Sequence, residues 1–157
     1  MRKRIVSPVP KDSPLPDGNW LDVERLAQVE VTSEDAAHPM ESALGSGAEP
    51  GWQAGQSGRQ TIRLIFDRPQ RLRRIWLLFT EPDVARTQEF ALSWSADGGR
   101  SFREICRQQW NFSSPDSIRE VEDYHVELSG VTQLELTIVP DQRGGDARAS
   151  LARWRLA

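Results

Sequence analysis

The segments Glu81–Phe90 (EPDVARTQEF) and Arg107–Ser114 (RQQWNFSS) hold the residue types best suited to gripping a small polar ligand. Each sets an arginine or glutamine beside an aromatic ring. A planar guanidinium or amide donates to hydroxyls or carboxylates in a fixed direction, while an aromatic face stacks on the apolar surface next to them. Arg86, Gln88, Trp110 and Asn111 are therefore the leading ligand-binding candidates, joined by Trp52 as a second aromatic platform and by Arg143 in the glycine-bearing loop Pro140–Asp146. The same residues admit a structural reading. Arg86, Gln88 and Glu89 would then tie a loop to neighbouring strands, Trp110 and Phe112 would plug the end of the fold, and Trp52 would open a strand in the core. Spacing alone leaves both readings open.

Other chemistries find less to work with. His38 and His125 are the only histidines and Cys106 the only cysteine, so no cluster has metal-ligand spacing and no metal site is expected. No serine sits in a nucleophile elbow. Cys106 lies in a strand pattern rather than at a helix N-terminus that would lower its pKa, and it reads as a small core residue. The run GSGAEPG, Gly45–Gly51, has the look of a phosphate loop but lacks the Lys-Ser/Thr ending and a following capped helix. No carboxylate pair occupies an apolar setting that would separate two pKa values for acid–base work. A non-enzymatic protein without a cofactor is the expectation. Arg68, Arg71, Arg73 and Arg74 form a basic group near one turn, which reads as a solvated face. With a formal charge of −3 and a pI near 5.5, the chain as a whole speaks against a nucleic-acid partner.

These candidates need a scaffold, and 157 residues suffice for one domain with its own core. Pro8, Pro10, Pro14 and Pro16 remove backbone donors, so residues 1–18 read as a proline-rich arm and 19–157 as the folded domain. One cysteine permits no internal disulfide and gives no sign of an oxidising compartment. No apolar h-region follows Arg2, Lys3 and Arg4, and no run reaches the roughly 18 apolar residues of a membrane span. A cytoplasmic location is the expectation.

Along the domain, the period is two. Asn19 or Asp17 would cap a short helical turn through Trp20, Leu21 and Val23, and Ala27, Val29 and Val31 then begin the strands. Five glycines between Gly45 and Gly58 mark a long connection. Ile62, Leu64 and Phe66 alternate with Thr61, Arg63 and Ile65, and Phe90, Leu92 and Trp94 with Ala91, Ser93 and Ser95. Pro69 and Gln70 read as a turn, as does Gly130 between Tyr124–Leu128 and Leu134–Ile138. Asp97-Gly98-Gly99 is a tight hairpin signal. After it, Phe102, Glu104 and Cys106 would share one face, with a bulge near Ile105, and Ala149–Leu156 would close the sheet. About eight strands at spacings of roughly 8 to 12 residues predict an all-β, antiparallel β-sandwich or jelly roll.

The order of these pieces resembles the discoidin, or coagulation factor type C, domain of the galactose-binding-like jelly rolls. The matching residues are VTSED at Val31–Asp35, the loop from His38 through Ala43 and Leu44 to Trp52, QTIRLIFDRPQRLRRIWLLF at Gln60–Phe79, EFALSWSADGGRSFREI at Glu89–Ile105 and ASLARWRL at Ala149–Leu156. The resemblance implies a non-catalytic binding module that presents loops at one end of a rigid sandwich, with carbohydrate as the first expected ligand. A protein-interaction module within a cytoplasmic assembly is the alternative. It also implies that Arg86 stands where sugar-binding relatives place a hydroxyl-contacting arginine. Relatives that hold calcium use an Asp and a Glu where this chain has Gly45 and Arg153, which implies no calcium here.

Overall fold

A computed structural model describes residues 19–45 and 50–157. The proline-rich arm and residues 46–49 of the glycine-rich connection lie outside the described residues. Alternating apolar side chains produce eight strands, all paired antiparallel: β1 (Ala27–Val31), β2 (Trp52–Gln53), β3 (Gln60–Thr80), β4 (Arg86–Ser95), β5 (Arg103–Phe112), β6 (Arg119–Val139), β7 (Ser150–Leu151) and β8 (Arg153–Leu156). Two single helical turns, α1 (Val23–Leu26) and α2 (Glu41–Leu44), complete the described elements. The main sheet runs β1-β3-β6-β4-β5, with β8 also on β3, and β2 pairs β7.

The long β3–β6 ribbon makes the sandwich. Ile65 pairs Gln133 and Ile75 pairs Tyr124, so nine residues of β3 oppose eight of β6 between those points. An extra residue on one strand bends the ribbon and increases its twist. The two halves therefore turn the same face inward, and Ile62, Leu64, Leu77, Phe79, Leu134 and Leu136 join one core cluster with Trp52, Phe90 and Trp154. Neither Pro69 nor Gly130 reverses the chain, as the sequence reading had expected. Both lie inside single long strands, near the corner of the ribbon. Pro69 is tolerated there because β1 leaves β3 at Phe66 and β8 joins only at Ile75, while the β6 ladder is interrupted.

Smaller departures have equally local causes. The first helical turn starts at Val23 with Asp22 as its cap residue, later than Asn19 would place it; Asp17 lies outside the described residues. The bulge does fall at Ile105, since Leu92 pairs Cys106 and Ser93 pairs Glu104. That extra residue inverts the alternation. Arg103 thus shares the inner face with Cys106, and Glu104 leaves it, contrary to the unbroken period-two reading. The last strand is split at Ala152 into β7 and β8.

Candidate functional site

Bending the ribbon carries both of its ends to one end of the sandwich. Gln60 pairs Ile138 and Thr80 pairs Arg119, and the Glu81 amide donates to the Ile118 carbonyl at 2.8 Å. The loops that follow β3, β5 and β6 therefore form a common rim, and the sequence candidates fall on or just beneath it.

Arg86 points inward. It is 1% exposed. Its Nε donates to Glu81 Oε1 at 2.8 Å, its Nη1 to Gln88 Oε1 at 3.1 Å and to the Pro140 carbonyl at 2.9 Å, and its Nη2 to Ser150 Oγ at 3.5 Å. The guanidinium also lies 4.7 Å from the Phe112 ring centre. One cation thus ties three connections together: the loop after β3, the loop after β6 and the start of β7. Such a group, desolvated and paired, holds the rim in place and presents no donor to solvent.

Gln88 is also fully buried and donates through Nε2 to Glu120 Oε1 at 3.1 Å. Glu120 Oε2 has no hydrogen-bond partner. Burial pushes the Glu120 carboxyl up to about 9, the hydrogen bond and charge of Glu122 add to the rise, and Gln88 and Arg86 pull against it. Tyr124 donates its hydroxyl to Glu122 Oε2 at 2.9 Å. A chain of polar groups, Arg86–Gln88–Glu120–Glu122–Tyr124, thus runs down the interior from the rim. The sequence reading missed it, although Glu120 and Glu122 occupy the same alternate phase as Tyr124, Val126 and Leu128, which is the signal that could have exposed it. Burial also pushes the Cys106 thiol up, which keeps it protonated and unreactive.

Trp52 is 1% exposed and donates its indole N–H to the Ser33 carbonyl at 3.1 Å, so it is built into the core. Trp110 is half-buried against the same core. Asn111 and Arg143 remain at the surface. Asn111 Oδ1 accepts from Thr87 Oγ1 at 2.8 Å, and Arg143, 71% exposed, stands 3.6 Å from Asp141 Oδ1. The loop after β6 borders an open cavity of about 280 Å³ with Gly58 and Arg59, lined also by Pro140, Gln142 and Gly144. The six sequence candidates therefore separate into an interior group of Arg86, Gln88 and Trp52, a half-buried Trp110, and a surface pair of Asn111 and Arg143.

No group of three or more His, Cys, Asp or Glu residues among those described could hold a metal ion. At the positions compared with the calcium site of relatives, Arg153 Nη1 donates to the Ala152 carbonyl at 2.6 Å. Arg155, two residues on, donates to the carbonyls of Ala43 and Gly45. No helix among the described residues is long and apolar enough to cross a membrane.

No family model and no curated protein matches the chain. Solved structures do. A family 32 carbohydrate-binding module from Clostridium perfringens, in complex with GalNAc-β-1,3-galactose, aligns with a TM-score of 0.65 at 17% identity, over 88% of this chain and 99% of that one. The family 32 module of C. perfringens NanJ, in complex with galactose, gives 0.62 at 13% identity, covering 87% and 96%. The family 32 module of AlyQ, in complex with 4,5-unsaturated mannuronic acid, gives 0.63 at 16%, covering 89% and 98%. This chain has the discoidin-like, galactose-binding-like fold. In this discoidin-like sandwich the rim loops are stapled from beneath by Arg86, while Arg59, Asn111, Gln142 and Arg143 face solvent.

Proposed function

We propose that this chain is a non-catalytic carbohydrate-binding module that takes sugar on the loop rim above Arg86. The observation that carries the reading is the rim cavity lined by Gly58, Arg59, Pro140, Gln142 and Gly144, with Arg143 and Asn111 exposed at the surface of the same rim, in a fold shared with three modules whose structures contain sugars. Guanidinium and amide donors on a rigid rim suit hydroxyl groups held in fixed directions. The position of the titratable groups supports the non-catalytic reading. Among the described residues the carboxyl with a strongly raised pKa, Glu120, is buried in the interior of the sandwich.

Titration calorimetry with galactose, N-acetylgalactosamine and an oligomannuronate, each into the millimolar range, tests the reading. Binding of at least one, lost on joint replacement of Arg59 and Arg143 by alanine, is expected. No heat with any of them would overturn it. A protein-interaction module inside an assembly is the second reading, and it draws on Val84, an exposed aliphatic side chain in the rim loop after β3. Recovery of a partner that a Val84→Asp variant no longer binds would favour it.

A further inference from the structure

The end of the sandwich remote from the rim carries a more complete set of sugar-recognition groups than the rim does. β4 runs from Arg86 to Ser95, so its far end lies roughly 30 Å from the Arg86 staple at about 3.3 Å per residue. There Trp94, Ala96, Asp97, Ser101 and Arg103 surround a cavity of about 280 Å³. Trp94 is only partly buried against the core, and Arg103 is its cross-strand partner. The bulge at Ile105 turns Arg103 onto the inner face beside that indole. Among the described residues Arg103 has neither a hydrogen-bond nor an ion-pair partner, so its donors are available.

Opposite the donor stands a fixed acceptor. Asp97 Oδ1 accepts from Ser95 Oγ at 2.7 Å and from the Ser101 amide at 2.9 Å, and Oδ2 accepts from Ser101 Oγ at 2.6 Å. Hydrogen bonds from the Ser101 hydroxyl and amide, with Ser95 behind them, hold the carboxyl well below the usual carboxylate range, so it stays ionised. The turn that carries it is anchored from outside as well. The Gly98 amide donates to Thr132 Oγ1 at 3.0 Å, and Gln133 Nε2 donates to the Gly98 carbonyl at 3.1 Å. The cavity wall is therefore preorganised before any ligand arrives.

The geometry points to a second saccharide site at this far end, in which a neutral sugar stacks on Trp94 and presents neighbouring hydroxyls to the Asp97 carboxylate and the Arg103 guanidinium. An ionised acceptor and an unpaired donor around one cavity match a diol, which gives a hydrogen to the first and accepts one from the second. The apolar face of a pyranose completes the fit against the indole. A sugar acid fits less well, because its charge would meet the ionised Asp97. The inference rests on the carbohydrate reading and adds a second binding place to it, so that the module would hold two sugar units at opposite ends.

Amide and indole chemical shifts followed by NMR during titration with galactose, glucose, mannose and N-acetylgalactosamine, into the millimolar range, separate the two ends. The expected result is a saturating shift at Gly98, Ser101, Arg103 and the Trp94 indole with at least one of these sugars. Arg103 is exposed, so Arg103→Ala should fold normally, weaken that far-end response about tenfold and leave any response at Gln142 and Arg143 unchanged. Trp94→Phe should weaken it less, since a smaller ring remains. Shifts confined to the rim, or a far-end affinity unchanged by Arg103→Ala, would overturn the second site while leaving the carbohydrate reading intact. No shift at either end with these sugars would remove the second site, and the oligomannuronate titration would still decide the rim.

Discussion

The two ends of this sandwich use the same residue types in opposite ways. Beneath the rim, Arg86, Gln88 and Glu120 turn inward: Arg86 is buried among Glu81, Gln88, Pro140 and Ser150, and Gln88 passes the network to Glu120. At the far end, Asp97 is locked by its own turn and, among the described residues, Arg103 is left unpaired beside a partly buried indole. The difference lies in what surrounds each arginine. Three segments converge on Arg86, so solvent is excluded and every donor finds a protein acceptor; Arg103 stands on the edge strand β5, open to solvent. An arginine near an aromatic ring is thus a staple where loops converge and a ligand group where they diverge.

The sharpest way to break that contrast is Arg86→Ala. Removing one partner from a buried charged network takes the arginine donor from Glu81 Oε1, Gln88 Oε1 and the Pro140 carbonyl, and a loss of about 3–5 kcal/mol in the free energy of unfolding by denaturant is expected. A loss below about 1 kcal/mol, within the range of exposed ion pairs, would mean that the guanidinium is not a staple.

Glu120→Gln should act in the other direction and depend on pH. The folded carboxyl titrates near 9 against an ordinary value of 4.5, so between those values the native state holds a proton that the unfolded chain has released. Stability then falls as pH rises through that window. Glutamine keeps an acceptor for Gln88 and cannot ionise. The variant should therefore flatten the pH dependence and melt higher than the parent at pH 8, as read by thermal melts across pH 5 to about 9. Parallel profiles for the two proteins would show that Glu120 does not carry this proton.

At the far end the leverage is in the backbone. Gly99 has φ +90°, and a Cβ there would meet the Gln133 side chain at 2.8 Å. Gly99→Ala should cost about 1–2 kcal/mol and disturb the Asp97 turn without touching the rim network. The smallest effects belong to the exposed arginines. Arg103→Ala and Arg143→Ala should leave the unfolding midpoint where it is, and any change either produces should appear in sugar titrations. A clear destabilisation by Arg103→Ala would show that the far-end guanidinium is structural after all, which would erase the contrast.

Much of this architecture was legible in the residues alone. Period-two alternation gave the strands, Asp97-Gly98-Gly99 gave the hairpin, and the broken alternation after it located the bulge at Ile105. The candidates Trp52, Arg86 and Gln88 were found as a set, but their burial was not foreseeable, because a polar residue in the inward phase of a strand looks the same as one at its exposed tip. Glu120 was passed over for the converse reason. An acidic residue amid REVEDYHVEL reads as solvent-facing unless the strand's inward phase is already known.

What the sequence by itself determined is which side chains share a face and where the chain must turn or bend, since both follow from short-range sterics and the two-residue repeat of an extended backbone. Only the tertiary structure decided that Pro69 and Gly130 lie near one corner of a continuous ribbon, that Arg86 reaches Pro140 across 54 positions, and that the bulge sets Arg103 beside Trp94. Those relations depend on register and on how two halves of a bent ribbon close over a common core, and strand periodicity carries no information about either.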